Sequence, residues 1–203
     1  MKVTLINGSP RENGTTAYAL GVIAGSLNAK DVKTEIITVG AMNLRGCLGC
    51  GGCRGAGKCV TDDGLNEIAA KMRAADGVVI GSPVYYAGIN GTLKCFLDRA
   101  FYSGAGKFRF KPAAGAVAMR RAGGTAALQT INQYFELAEM LITPTIYWSG
   151  IHGLSGEQAG KDAEGVQMME VIGANMAYLI KMKNACGLPE PPDVVRARTN
   201  FIR

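Results

Sequence analysis

The chain has 203 residues, 48% of them apolar, and 22 lysines and arginines against 16 acidic residues give it a net charge of +6. That is enough for one domain with a full core, and it excludes a fibrous or disordered chain. The nearest approaches to a basic cluster are Arg120-Arg121 and the group Arg196, Arg198 and Arg203, with no aromatic interleaving, so no nucleic-acid partner is expected. Met1 leads straight into an apolar run without a charged leader. No stretch approaches the roughly 20 apolar residues of a membrane span, so no membrane partner and a cytoplasmic location are expected.

Apolar runs and helical stretches alternate from end to end. The reading gives strands at Val3–Ile6, Thr34–Val39, Gly77–Ile80, Ala114–Met119 and Thr145–Trp148. Each is followed by a helix, over 15–28, 64–74, 91–101, 125–141 and 163–184. Leu65, Ile68, Ala69 and Met72 show the i, i+3, i+4, i+7 spacing of a helix with one buried face. Five strand–helix units predict an α/β doubly wound sandwich, a five-stranded parallel sheet with helices on both faces. In such a fold ligands bind at the carboxyl ends of the strands, near the point where strand order reverses. The domain is expected over residues 1–187, followed by a Pro-rich tail over 188–203 that leaves the core.

The first strand runs into Asn7-Gly8-Ser9-Pro10-Arg11-Glu12-Asn13-Gly14-Thr15-Thr16. Its glycines allow tight turns, Ser9, Thr15 and Thr16 supply hydroxyls, Arg11 supplies a charged fork, and a helix start follows. Together these suit a phosphate. The segment is neither a Walker A loop nor a G-x-G-x-x-G fingerprint.

After the second strand, Cys47, Cys50, Cys53 and Cys59 fall within thirteen residues of a glycine-rich loop over 46–60. Thiolates two residues apart can wrap one corner of an iron–sulfur cubane, and a fourth closes it. Structural zinc usually takes two knuckles with a longer insert, which is missing here. Redox-active thiols stay open as an alternative, because the C-x-x-C pairs lie near Arg45, Arg54 and Lys58. Cys95 and Cys186 read as ordinary core or surface residues.

The loop after the third strand, Gly81-Ser82-Pro83-Val84-Tyr85-Tyr86, combines a fixed proline with flat aromatic surface, and Asn90 follows before a helix. The fourth strand ends in Arg120-Arg121-Ala122-Gly123-Gly124-Thr125, a basic helix start able to stabilise an anion. Tyr147-Trp148, His152-Gly153 and Asp162–Gly165 read as a wall of the site, a subunit contact or a part of the chemistry, with His152 a candidate proton donor.

Gly8-Ser9-Pro10-Arg11 with Asn13-Gly14-Thr15-Thr16 resembles the phosphate loop of the flavodoxin-like NADPH-dependent FMN reductases. The Gly81–Tyr86 loop and the helix after it resemble their isoalloxazine loop. The resemblance spans residues 1 to about 184. It implies a flavodoxin-like fold with FMN bound through Ser9, Arg11, Asn13, Gly14, Thr15, Thr16, Pro83, Val84, Tyr85, Tyr86, Asn90, Arg121, Gly123 and Gly124. Within that superfamily the cysteine spacing is similar to the compact motif of the iron–sulfur flavoproteins, which implies a [4Fe-4S] cluster on Cys47, Cys50, Cys53 and Cys59. The expected function is that of an FMN-dependent oxidoreductase drawing electrons from NAD(P)H. No protein residue is expected to be catalytic, since the flavin itself does the chemistry. A small-molecule or protein acceptor such as a ferredoxin is expected, and a homodimer or homotetramer. A non-catalytic electron carrier and a thiol-based redox sensor are the alternatives.

Overall fold

The computed structural model describes residues 1–195, 197 and 199. Arg196, Arg198 and Arg203 therefore lie outside the described residues.

Among the described residues six strands and six helices follow one another in the order β1 (Lys2–Asn7), α1 (Thr15–Asn28), β2 (Lys33–Thr38), α2 (Leu65–Ala74), β3 (Gly77–Pro83), α3 (Gly91–Ser103), β4 (Pro112–Met119), α4 (Gly124–Leu137), β5 (Leu141–Ile142), β6 (Gly150–His152), α5 (Gly156–Ala159) and α6 (Ala163–Ala185). The sheet is parallel in the order β2-β1-β3-β4-β5, and β6 also pairs with β4. Strand order reverses at β1, so the ligand crevice falls between the loops after β1 and β3.

The two faces of the sheet bury different side chains, as the period of two along each strand requires. Val3, Leu5 and Val79 point toward α1 and α6, where Leu20, Ile23, Met169 and Ile172 fill one core. Ile6, Val78 and Ile80 point the other way, toward Met72, Phe96, Ile131 and Phe135 of α2, α3 and α4. Both faces are covered, which is why the central strands read as continuous apolar runs.

The expected fifth strand at Thr145–Trp148 does not form. Its place is split between β5, which pairs with Pro112 and Ala113 at the start of β4, and β6, which pairs with Val117, Ala118 and Met119 at its end. Pro144 has no N–H to give to the sheet, and the chain leaves β4 after Thr143. Tyr147 and Trp148 are consequently exposed, and their rings meet edge to face at 6.3 Å. The helix expected over 125–141 ends at Leu137, with Glu139 in a left-handed conformation that turns the chain into β5.

The expected tail has no helix or strand over residues 188–195. Glu190 pairs with Lys183 at 2.8 Å and Asp193 pairs with Arg109, so this segment lies back against the domain. No helix among the described residues is long and apolar enough to cross a membrane.

Candidate functional site

The loop after β1 is shaped by its own side chains. Asn7 Oδ1 accepts the N–H of Ser9 at 3.0 Å, Ser9 Oγ accepts the N–H of Arg11 at 3.1 Å, and the N–H of Gly14 reaches Arg11 O at 3.3 Å. The backbone thus arches over the start of α1. Gly8 sits where this arch presses on the sheet, donating to Gly81 O at 2.8 Å. A Cβ there would meet Leu93 Cδ2 at 2.5 Å and that same carbonyl oxygen at 2.8 Å. Only glycine fits.

At the end of the arch, α1 begins without a cap. Gly14 offers no side chain and the first turn holds no acidic residue. Among the described residues the N–H groups of Thr15, Thr16 and Ala17 have no partner. Free donors and the positive end of a 14-residue helix lie together at the end of the arch, which is the chemistry a phosphate dianion needs. Ser9, Gly14, Thr15 and Thr16 are buried around it, while Arg11 and Asn13 are exposed at its rim. The Thr15 hydroxyl is turned away, donating to Gly153 O at 3.1 Å with Ser155 O at 3.2 Å. Thr15 therefore offers its backbone N–H, and its side chain ties the loop after β6 to the loop after β1.

Beside it, Val84 donates to Ala118 O at 2.9 Å, and Tyr85 and Gly88 exchange both backbone hydrogen bonds at 2.9 Å in a tight hairpin. Tyr86 and Ala87 at its tip have positive φ of 47° and 59°. Such backbone is strained for residues with side chains and collects at functional sites. Tyr86 is wholly exposed, and its N–H and that of Ala87 have no partner among the described residues. Asn90 is buried and spends its Oδ1 on the N–H of Leu93, capping α3. It positions the loop more than it presents a group to a ligand.

The loop after β4 closes the far side. Gly123 has a φ of 89°, and a Cβ there would stand 2.8 Å from Ala87 Cα, so the two loops touch. Arg121, Gly123, Gly124, Trp148 and His152 line a cleft of about 340 Å³. Asp162 closes its base: it caps α6 through the N–H of Gly165 at 3.0 Å and accepts the N–H of His152 at 2.7 Å. Burial alone would raise the Asp162 carboxyl, but those N–H groups and the His152 ring outweigh it and hold it below its usual range.

The cysteine loop joins β2 to α2 on the α3 side. Cys47, Cys50, Cys53 and Cys59 all line one small cavity, together with Arg99, Tyr102 and Ser103 of α3. Arg99 was not among the expected site residues, yet it organises this corner. Its guanidinium binds both oxygens of Asp63, at 2.6 and 2.9 Å, and donates to Cys59 Sγ at 3.3 Å. Arg99 in turn holds the Asp63 carboxyl below its usual range. Burial works to raise the Cys59 thiol, but the Thr61 N–H and Arg99 outweigh it and leave it lowered. Asn66 grips the same residue by its backbone, accepting from Cys59 N at 2.8 Å and donating to Cys59 O at 2.9 Å. The sequence carried one signal for Arg99: a charged residue inside the apolar stripe Leu93, Phe96, Ala100 of α3.

A cubane can be tested against this corner. Four thiols around one cavity beside a buried cation are the donor set such a group takes, and in that respect the residues fit. The cavity of about 20 Å³ has room for one water. Among the described residues no three metal-ligating side chains are drawn together. The four thiols line one pocket without being drawn onto a single point.

Strand order 2-1-3-4-5 with an uncapped helix start and a strained loop at the switch point defines a flavodoxin-like protein. The model of the family "NADPH-dependent FMN reductase" matches residues 1–153, and the chain belongs to that family. It is 31% identical over 190 residues to an iron–sulfur flavoprotein of Methanocaldococcus jannaschii, covering 90% of this chain and 98% of that protein. It is 27% identical over 192 residues to an NADPH azoreductase of a Bacillus species, covering 93% and 99%. Among solved structures, an archaeal flavodoxin superposes with a TM-score of 0.62 at 14% identity, over 89% of this chain and 99% of that one.

Proposed function

We propose that this chain is an FMN-dependent oxidoreductase that takes electrons from NAD(P)H and passes them to an acceptor. The observation that carries this reading is the uncapped start of α1 under the Ser9–Gly14 arch, a cradle suited to the FMN phosphate. Ser9, Arg11, Asn13, Gly14, Thr15 and Thr16 would hold that phosphate, the last two by backbone N–H groups. Pro83, Val84, Tyr85 and Tyr86 would carry the ring, with Asn90 fixing their loop. Arg121, Gly123 and Gly124 would face the ring's polar edge, where positive charge favours the reduced, anionic form. Bound FMN supplies two-electron and one-electron chemistry in one group.

Cys47, Cys50, Cys53 and Cys59 would hold a [4Fe-4S] cluster, a reading supported by their shared cavity and by the likeness to proteins named iron–sulfur flavoproteins. Helix α3 connects the two sites: Leu93 packs under Gly8, and Arg99 lies six residues on, about 9 Å along the helix axis. The protein would work in the cytoplasm as a homodimer or homotetramer. The exposed Tyr85, Tyr86, Tyr147 and Trp148 at the ligand edge suit a covering subunit, and a ferredoxin or a small molecule would serve as redox partner.

The test is steady-state oxidation of NADPH and NADH by purified, FMN-loaded protein with quinone, azo and ferredoxin acceptors. Turnover with at least one acceptor is expected. No oxidation with any of them would leave a pure electron carrier.

A further inference from the structure

We propose that Arg99 is the positioning residue of the cysteine loop, pinning both of its ends to α3 and raising the redox potential of the iron–sulfur group held there. This rests on reading the loop as a cluster site.

The argument begins with burial. The Arg99 side chain is 1% exposed, and a guanidinium in that setting must use its donors or pay heavily in lost solvation. Arg99 uses them on both sides of the cysteine run. Before the run, Nη1 reaches Arg45 O at 3.3 Å, two residues ahead of Cys47. After it, Nε reaches Cys59 Sγ at 3.3 Å, Nη2 reaches Thr61 O at 3.3 Å, and the fork closes on Asp63. Residues 40–63 form no strand or helix, so these contacts and the Asn66 clamp do the holding.

The four cysteines are consequently unlike one another. Cys59 is fixed from its backbone and its sulfur, while Cys47 and Cys50 are exposed and Cys47 receives only a long N–H contact from Gly49 at 3.5 Å. Among the described residues Cys59 alone receives a charged donor. A charged N–H on a ligating sulfur draws electron density from it and favours the reduced cluster, as does a nearby buried cation. Asp63 offsets part of that charge from the side of the guanidinium away from the sulfur.

Removing Arg99 alone would leave Asp63 bare, so the informative variant is the double substitution Arg99→Met with Asp63→Leu, which removes both charges at similar volume. Full-length protein is reconstituted anaerobically with iron and sulfide, and FMN content and thermal melting report whether the variant has folded. The cluster midpoint potential is read by redox titration, and iron loss is timed against a chelator. The variant is expected to show a more negative potential and iron loss faster by about 10-fold or more. The single variant Arg99→Lys keeps the charge without the fork, and its potential is expected to lie between those of the wild type and the double variant. An unchanged potential and loss rate in folded double variant would overturn the role of Arg99 while leaving the cluster in place. A wild-type chain that takes up no iron would overturn the cluster reading instead, and this inference with it.

Discussion

A methyl group added at Gly8 would overlap Leu93 and the Gly81 carbonyl, and the second of these is backbone that cannot turn aside. Gly8→Ala is therefore expected to cost about 1–3 kcal/mol of stability by overpacking. It should also lift the arch off the sheet and weaken FMN binding by at least about tenfold, each tenfold being about 1.4 kcal/mol. Urea unfolding and titration of FMN fluorescence quenching measure the two effects, and an unchanged FMN affinity would contradict the close-approach account. At this scale much of the candidate site was legible, because Gly8, Ser9, Arg11 and Gly14 are residue types suited to a turn and an anion. The orientation of the Thr15 hydroxyl was not legible. Its acceptors, Gly153 O and Ser155 O, lie some 140 positions away in the chain. Arg99 was hidden for the same reason, since its partners lie 36 to 54 positions away.

Five of the helices were readable as elements from their apolar spacing, the four-residue α5 was not, and four of the strands were readable as short apolar runs. The fifth position was not. Thr145–Trp148 has strand-like residues, yet Pro144 and the short reach of β5 and β6 along β4 leave it outside the sheet. Local composition could not show that a strand would be made in two pieces. Helix α6 offers a test at this level, since Asp162 both caps it and holds the N–H of His152. Its folded pKa is lowered, so its stabilising contribution is present above the unfolded value, about 3.9, and is lost as pH falls through the folded value. Asp162→Ala should cost about 1 kcal/mol at pH 7, as cap removals do. The difference from wild type should shrink as pH falls below about 4, where the carboxyl of the unfolded wild-type chain takes up its proton before that of the folded one. Urea unfolding at pH 7 and at pH 3 measures this. An equal difference at both would show that the carboxylate's charge is not what holds the cap.

Over the whole molecule, the reversal of strand order at β1 gathers the loops after β1, β3, β4 and β6 along one edge of the sheet, while α3 runs from that edge to the cysteine loop. The fold thereby sets a phosphate cradle, a strained aromatic hairpin and a four-cysteine pocket along a single helix. A chain with only the first two would be a simple flavin reductase; a cluster on the third would make it a two-centre electron-transfer protein. The account's central claim is that both centres are present together. The most direct test is the amount of iron and acid-labile sulfide per FMN in anaerobically prepared protein. The account predicts one FMN per chain, with about four iron and four sulfide per FMN. FMN at one per chain with iron and sulfide near zero would contradict it.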